Sequence, residues 1–223
     1  MTRLLVLAEG DSEELFIKTI LAPHLEKFGV FACATGVVSK RMANGRKFTG
    51  GNRWFNVQLS LRPLLVDSDA WVTTMLDFYG LPADFPGISE GLTHHGNARS
   101  RVQAVENAIA KALGKPQRFI PFIALHEFEA WYFAAPDKVA DYFGQPGVSA
   151  MMALAVQEVG GPEDINHGKE THPSKRLESY GMGFRKTSAV SVLKAIGLDA
   201  IRATCPHFDG WVQRLESLGG AAP

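Results

Sequence analysis

Acidic residues stand directly after three apolar segments of the chain. The segments are residues 4–7, 70–76 and 119–125. Glu9 and Asp77 follow the first two segments, and Glu127 and Glu129 follow the third. Unbroken apolar runs are typical of strands buried on both faces of a parallel sheet, and the carboxyl ends of such strands share one edge. If the three strands are neighbours, these acids and the nearby Glu13 converge at that edge.

Several carboxylates at one edge of a sheet need a counter-charge. Ionised neighbours repel each other, and burial penalises each charge. A divalent cation removes both difficulties. Carboxylate oxygens suit Mg²⁺ or Mn²⁺, which also accept phosphate oxygens and can activate water for attack on phosphorus. The residues therefore predict a magnesium or manganese site for phosphoryl chemistry.

A structural role is the alternative for each acid. Gly10 permits a tight turn after Glu9, and Glu13 then stands in the first turn of a helix, where acids are favoured. Both glutamates would in that case serve only the start of the helix. Glu127 and Glu129 point to opposite sides if the backbone is still extended there, so at most one of them faces the edge.

Strands alternate with helices over the first part of the chain. This alternation predicts a mostly parallel α/β sheet flanked by helices in residues 1–135, with a helical C-terminal part in residues 136–223 packed on it. The predicted strands are residues 4–7, 30–38, 70–77 and 119–125. The predicted helices are residues 13–28, 54–65, 97–113, 136–144, 148–159 and 189–218. We expect residues 39–52 and 160–176 to be loops.

The composition is that of an ordinary globular protein. Apolar residues make up 46% of the chain and charged residues 21%, and the formal net charge is zero. There is no apolar run of about 18 residues and no secretory leader, so we expect a cytoplasmic protein without a membrane span. The two cysteines, Cys33 and Cys205, are too few for a disulfide framework.

Positive charge is concentrated in one stretch of the chain. No acid lies between Glu26 and Asp67. Five basic residues in or beside the glycine-rich segment 39–52 are expected to contact nucleic acid: Lys40, Arg41, Arg46, Lys47 and Arg53. A flexible basic loop can follow a phosphate backbone, and Phe48 and Trp54 are available for stacking on bases. The alternative is a solvated loop without a ligand.

Five short motifs resemble known families. The first, AEGDSE at residues 8–13, resembles the Glu-Gly-x-x-Glu signature of TOPRIM domains. The other four are LDFYGLP at 76–82, HEFEAW at 126–131, THPSKR at 171–176 and CPHF at 205–208. Together they resemble the bacterial domain-of-unknown-function family 4276, which is TOPRIM-like. The resemblance covers most of the chain.

The resemblance implies a TOPRIM-like, Rossmannoid core and a role as a nuclease, or a protein derived from one, in bacterial defence. It implies Glu9, Glu13, Asp77 and Glu129 as metal ligands, and Lys175 as the cation that binds a phosphate oxygen. The alternative for Lys175 is a solvated loop lysine without a ligand. TOPRIM domains usually carry Asp-x-Asp at the second site, whereas this chain has Asp77-Phe78-Tyr79. Either Glu127 or Glu129 replaces the missing ligand, or metal binding is weaker, or the fold is kept without catalysis.

Two functions follow from these observations. The first is an Mg²⁺- or Mn²⁺-dependent phosphodiesterase that acts on DNA or RNA. The second is a non-catalytic interaction module that works with a separate ATPase, because the chain has no Walker motif of its own. A homodimer is compatible with both.

The basic stretch generates a first prediction. Each phosphate that a lysine or arginine neutralises releases counterions, so log K falls with log salt by about 0.9 per contact on duplex DNA. Replacing Arg46 and Lys47 by Ala should weaken binding to all sequences and lower that slope by roughly one to two units. Titrations at several salt concentrations measure the slope. An unchanged affinity and slope would exclude this loop as the nucleic-acid contact.

Overall fold

The structure of the chain is a computed structural model that describes residues 1–41, 47–49, 53–90, 97–165, 168, 170–185 and 188–220. The chain forms two compact units. The first comprises Met1–Ala124 with Gln213–Pro223, and the second comprises Leu125–Val212. The division into residues 1–135 and 136–223 stays a prediction.

The secondary structure is mixed. The strands are β1 (Thr2–Ala8), β2 (Val30–Gly36), β3 (Val38–Arg41), β4 (Lys47–Thr49), β5 (Ala70–Asp77), β6 (Phe119–Ile120) and β7 (Ile123–Ala124). The α-helices are α1 (Asp11–Phe16), α2 (Ala22–Glu26), α3 (Trp54–Leu65), α4 (Ala98–Ala112), α5 (Pro136–Phe143), α6 (Pro146–Val159), α7 (Pro173–Ser179), α8 (Ala189–Ile196), α9 (Leu198–Thr204) and α10 (Pro206–Glu216). A π-helical segment, Ile17–Leu21, joins α1 to α2, and 3₁₀ helices span Phe128–Ala134, Pro162–Asp164 and Ser217–Gly219.

A parallel sheet forms the centre of the first unit. Its strand order is β2-β1-β5-β6, with β7 also paired to β5, and every pair is parallel. Leu4, Val6 and Leu7 of β1 are completely buried, as the apolar run predicts. Helices α2, α3 and α4 contact strands of this sheet. The predicted fold class, a parallel α/β sheet with flanking helices and a helical C-terminal part, is confirmed.

The predicted strand 119–125 is interrupted. Pro121 has no N–H for the ladder, and the strand is divided into β6 and β7 around it. The side chain of Thr74 bridges the gap: its Oγ1 donates to the carbonyl of Phe122 at 2.8 Å and accepts the Phe122 N–H at 2.9 Å. A buried threonine therefore replaces two backbone hydrogen bonds of the sheet.

The segment predicted as a loop at residues 39–52 contains strands. Strand β3 pairs antiparallel with β4, so the prediction of a continuous loop is wrong for these residues. Asn44-Gly45, which lies between the two strands in the sequence, is a dipeptide favoured in hairpin turns and could have indicated the pairing. Residues 42–46 and 50–52 lie outside the described residues.

Helices form the second unit, and their ends follow simple signals. Gly144 and Gly160 adopt left-handed conformations, with φ of 63° and 100°, and end α5 and α6. The predicted helical region 189–218 is divided into α8, α9 and α10 at Gly197, which has φ of 86°, and at Pro206. The predicted loop 160–176 is partly helical, because α7 begins at Pro173, a residue favoured at the first helical position.

Helix length bears on membrane insertion. Among the described residues, no helix is both long enough and apolar enough to cross a bilayer.

The threonine bridge at Pro121 generates a stability prediction. Thr74→Val keeps the shape of the side chain but leaves the N–H and the carbonyl of Phe122 without their Thr74 partner, which should lower the free energy of unfolding by about 1–3 kcal/mol. Thr19→Val, at an exposed position of the π-helical segment, is the matched control and should change it by less than about 0.5 kcal/mol. Urea denaturation measures both. If both substitutions lowered the free energy of unfolding equally, the Thr74 hydrogen bonds would not have the proposed stabilising role.

Candidate active site at the sheet edge

The strand order of the first unit has a reversal point. The chain passes from β1 outward to β2, and later continues from β5 outward to β6 on the other side. The direction of the strand order therefore reverses between β1 and β5. In open α/β sheets, ligands bind outside the carboxyl ends of the strands at such a reversal. Glu9 and Asp77 occupy these two carboxyl ends.

Glu9 is attached to β5 through both its main chain and its side chain. Its N–H donates to the carbonyl of Met75 at 3.0 Å. Its carboxylate oxygen Oε2 accepts the N–H of Asp77 at 2.9 Å. The side chain thus continues the ladder by one step beyond the end of β1. The structure brings Glu9 and Asp77 together, although 68 positions separate them in the sequence.

Glu13 lies at the start of α1, in the same unit. Its Oε2 accepts the N–H of Gly10, the residue before the helix, at 3.0 Å, and glycine has no side chain to return a second bond. This is the helix-start role that the sequence analysis set against metal binding.

The carboxylates of this edge can be tested against the predicted cation. Among the described residues, no group of three or more His, Cys, Asp or Glu side chains is arranged to hold a metal ion. Mg²⁺, however, commonly uses only one or two protein carboxylates and completes its shell with water and substrate phosphate. Glu9 and Asp77 supply oxygen donors on neighbouring strand ends. This pair fits an open magnesium or manganese site, not a closed protein cage.

Glu129 and Glu127 belong to the second unit. The backbone is not extended after Glu127, because a 3₁₀ helix begins at Phe128, so the expectation that the two side chains point to opposite sides does not apply. Both side chains are buried. His126, just before them, is also buried and has φ of 63°, a conformation that is sparse for residues other than glycine and recurs at functional sites.

Glu127 caps a helix distant in sequence. Its Oε2 accepts the N–H of Ser174 at 2.9 Å and lies 3.0 Å from Nδ1 of His172, while its Oε1 accepts the Ser174 hydroxyl at 3.2 Å. Ser174 stands in the first turn of α7, where backbone N–H groups lack helical partners. The motifs around residues 126–131 and 171–176 are therefore joined by a buried carboxylate.

Glu163 performs the same task at α10. Its two carboxylate oxygens accept the N–H groups of His207 and Phe208, each at 2.9 Å. Both capped helices begin with proline, Pro173 and Pro206, at the first helical position. Neither cap is predicted from the sequence. The proline signals were visible, but the glutamates lie more than 40 positions away.

The remaining predicted residues are placed as follows. Lys175 is on α7, half exposed, and its Nζ lies 2.6 Å from Oε2 of Glu178. Arg53 is exposed and precedes α3. Lys40 and Arg41 belong to β3 and Lys47 to β4, while Arg46 lies outside the described residues.

The fold and the acidic edge define an α/β protein with carboxylates at the reversal point of a parallel sheet. The chain belongs to the family described as Domain of unknown function (DUF4276), whose profile matches residues 8–216. The predicted membership of this family is confirmed. No curated protein and no solved structure matches the chain.

Tyr132 is an unusual neighbour of Glu129. Positions three apart in a 3₁₀ helix are eclipsed, so the two side chains share one face. The Tyr132 hydroxyl is buried and has no hydrogen-bond partner among the described residues. Burial, and then the negative charge of Glu129, raises the pKa of the Tyr132 phenol above its ordinary value of 10.0.

We therefore predict that Tyr132→Phe raises the free energy of unfolding by about 1 kcal/mol at neutral pH, because it removes an unsatisfied buried hydroxyl. The parent protein should also lose stability as the pH rises above 10.0, since the unfolded tyrosine releases its proton there while the folded one keeps it. The Tyr132→Phe variant should lose less stability over the same rise in pH. Urea denaturation below and above that pH measures both effects, and a less stable variant at neutral pH would show that the hydroxyl has a partner.

Proposed function

We propose that this chain is an Mg²⁺- or Mn²⁺-dependent phosphodiesterase that cleaves nucleic acid, acting in the cytoplasm as part of a bacterial defence system. The observation that carries the proposal is the bond between the Glu9 carboxylate and the Asp77 N–H at the reversal point of the sheet. It is supported by the resemblance of residues 8–13 to the TOPRIM signature.

Both acids are ligands of the cation in this proposal, and the main chain of Asp77 also orients Glu9. The Asp77 N–H fixes one oxygen of Glu9, so the carboxylate is oriented before any ligand arrives. Glu9 and Asp77 would hold the cation, and the resemblance to TOPRIM domains adds Glu13 and Glu129 as further proposed ligands. When bound, Mg²⁺ supplies neutralisation of phosphate charge and activation of water.

Lys175 is proposed to stabilise negative charge on the phosphate. Its present partner, Glu178, is on the same helix and the pair is exposed. Exposed pairs of this kind contribute little stability, so a phosphate oxygen can replace Glu178 at small cost. The basic residues Lys40, Arg41, Arg46, Lys47 and Arg53 would bind the rest of the nucleic-acid backbone.

A second candidate is an interaction module for a partner ATPase. One observation favours it: Phe55, Leu59 and Val66 are exposed at spacings of four and seven residues along and just after α3. These spacings place the three side chains on one face of a helix. Arg62 lies on the same face, so a partner surface that is apolar and acidic would fit it.

The decisive experiment is incubation of labelled single- and double-stranded DNA and RNA with the protein, with Mg²⁺, with Mn²⁺ and with a chelator. We predict cleavage that requires the metal. Glu9→Gln and Asp77→Asn should each reduce it by about a hundredfold or more, because each removes one ligand charge. The amide oxygen of Gln can still accept the Asp77 N–H, so the melting temperature of Glu9→Gln should stay near that of the parent.

Glu26→Gln is the matched control, since Glu26 is exposed at the far end of α2 and should be dispensable for cleavage. Calorimetry with Mn²⁺ separates the two candidates. Heat of binding that Glu9→Gln abolishes supports the phosphodiesterase, whereas no heat from the parent protein favours the interaction module. Full activity of Glu9→Gln would refute the site.

A further inference from the structure

Two arginines stand in the first turn of α4. Arg99 and Arg101 are the second and fourth residues of this helix, which Asn97 caps by accepting the N–H of Ser100 at 2.9 Å. The N-terminal end of a helix carries a partial positive charge, which disfavours cations. The first turn contains no acid, and α4 has none three or four positions from either arginine. The helix alone therefore does not account for two positive charges at this end.

Glu106 fixes the position of α4 along the sheet. Its Oε1 accepts the N–H of Ile123 on β7 at 3.0 Å, and Ile123 pairs with Leu76, the residue before Asp77. Since α4 leads from the carboxyl end of β5 back to the amino end of the parallel strand β6, it runs antiparallel to both strands. The residues before Glu106 therefore extend towards the carboxyl edge of the sheet.

Both arginines lie beyond the ends of the strands. Arg99 is seven positions before Glu106, which is two helical turns or about 10 Å along the helix axis. Arg101 is five positions before Glu106, or about 8 Å along the axis. Strand β5 continues only one residue past Leu76, which is about 3 Å. The start of α4 thus stands at the edge that carries the two acids of the proposed site.

The side chain of Arg101 contains an unsatisfied donor. Its Nε atom is buried and has no hydrogen-bond partner among the described residues, while the residue as a whole is partly exposed. A buried donor without an acceptor is destabilising, and native proteins rarely keep one. A guanidinium group presents its N–H donors in a planar fork that matches two oxygens of a phosphate. A phosphate therefore suits Arg101 both in charge and in hydrogen-bond geometry.

We propose that Arg99 and Arg101 bind a phosphate group of the nucleic-acid backbone beside the phosphodiester that is cleaved, an inference that rests on the proposed function. Glu9 and Asp77 repel the backbone until a cation neutralises them. The two arginines supply an attraction on the same edge that does not depend on the cation. They are positioning residues, because they hold the strand and not the reacting phosphorus. Binding of nucleic acid without metal should therefore depend on them.

Fluorescence anisotropy with labelled single-stranded DNA and RNA oligonucleotides tests this proposal. The titrations contain a chelator, so that no metal supports cleavage, and are repeated over a series of salt concentrations. Arg99→Ala and Arg101→Ala should each raise the dissociation constant about tenfold, the effect of one charged hydrogen bond. Each should also lower the slope of log K against log salt by about 0.7. Arg101→Lys keeps the charge, so it should keep the slope and still bind more weakly than the parent.

Lys111→Ala is the matched control for the two alanine variants. It removes the same charge from the exposed opposite end of α4, and it should leave both the affinity and the salt slope unchanged. Thermal unfolding separates binding from a structural role. Arg99→Ala should not lower the melting temperature, because it removes a cation from the start of a helix.

The outcomes distinguish this inference from the proposed function. A parent chain that binds in chelator, with the expected losses in both alanine variants, but cleaves nothing with Mg²⁺ or Mn²⁺ supports the phosphate contact and contradicts the phosphodiesterase. A parent that cleaves, while both variants keep its affinity and salt slope, overturns the phosphate contact alone. An equal loss of slope in Lys111→Ala would also overturn it, as would a parent that binds neither oligonucleotide.

Discussion

Carboxylates that accept backbone N–H groups, buried at Glu106, Glu127 and Glu163 and half-buried at Glu9, support the ends of strands and helices in both units of this protein. The donors are Asp77 for Glu9, Ile123 for Glu106, Ser174 for Glu127, and His207 with Phe208 for Glu163. All of these N–H groups lie at strand ends, beside Pro121 or in the first turn of a helix, where the regular pattern supplies no carbonyl. An unpaired buried N–H costs about 1–3 kcal/mol, and hydrogen bonds to charged groups contribute about as much. These glutamates therefore allow elements to begin and end inside the protein.

This constraint explains the family motifs in physical terms. Glu127 of HEFEAW and Ser174 of THPSKR are joined by two hydrogen bonds, and CPHF carries the N–H groups from which Glu163 accepts. Cys205 of CPHF is buried, and burial raises the pKa of its thiol, with Glu163 adding to the effect. A thiol in this environment stays protonated and serves packing. Motifs that suggest catalysis in the sequence thus include residues with a structural role.

The sequence predicts the elements that short-range physics controls. The apolar run of β1, the periodic stripe of α4 and the glycine at the end of α5 are visible within a few residues, and the structure confirms all three. The cap of α7 is different, because its acceptor, Glu127, lies 47 positions before Ser174. A pattern of neighbouring residues cannot predict a hydrogen-bond partner that lies so far away in the sequence. The acidic edge of the sheet is an intermediate case. The sequence allows the assumption that parallel strands are neighbours, but it does not predict the hydrogen bond from the Asp77 N–H to Glu9.

The structural role of Glu9 and its proposed chemical role are compatible for a geometric reason. The carboxylate of Glu9, at the end of a buried strand, has one oxygen within reach of the N–H of Asp77 on the next strand. The same bond that completes the sheet therefore fixes the direction of a carboxylate at the position where open α/β sheets generally bind ligands. A helix-start or strand-end role for an acid in this position does not compete with a catalytic one, because the hydrogen bond supplies the orientation that catalysis needs. Only a substitution that keeps the acceptor and removes the charge separates the two roles.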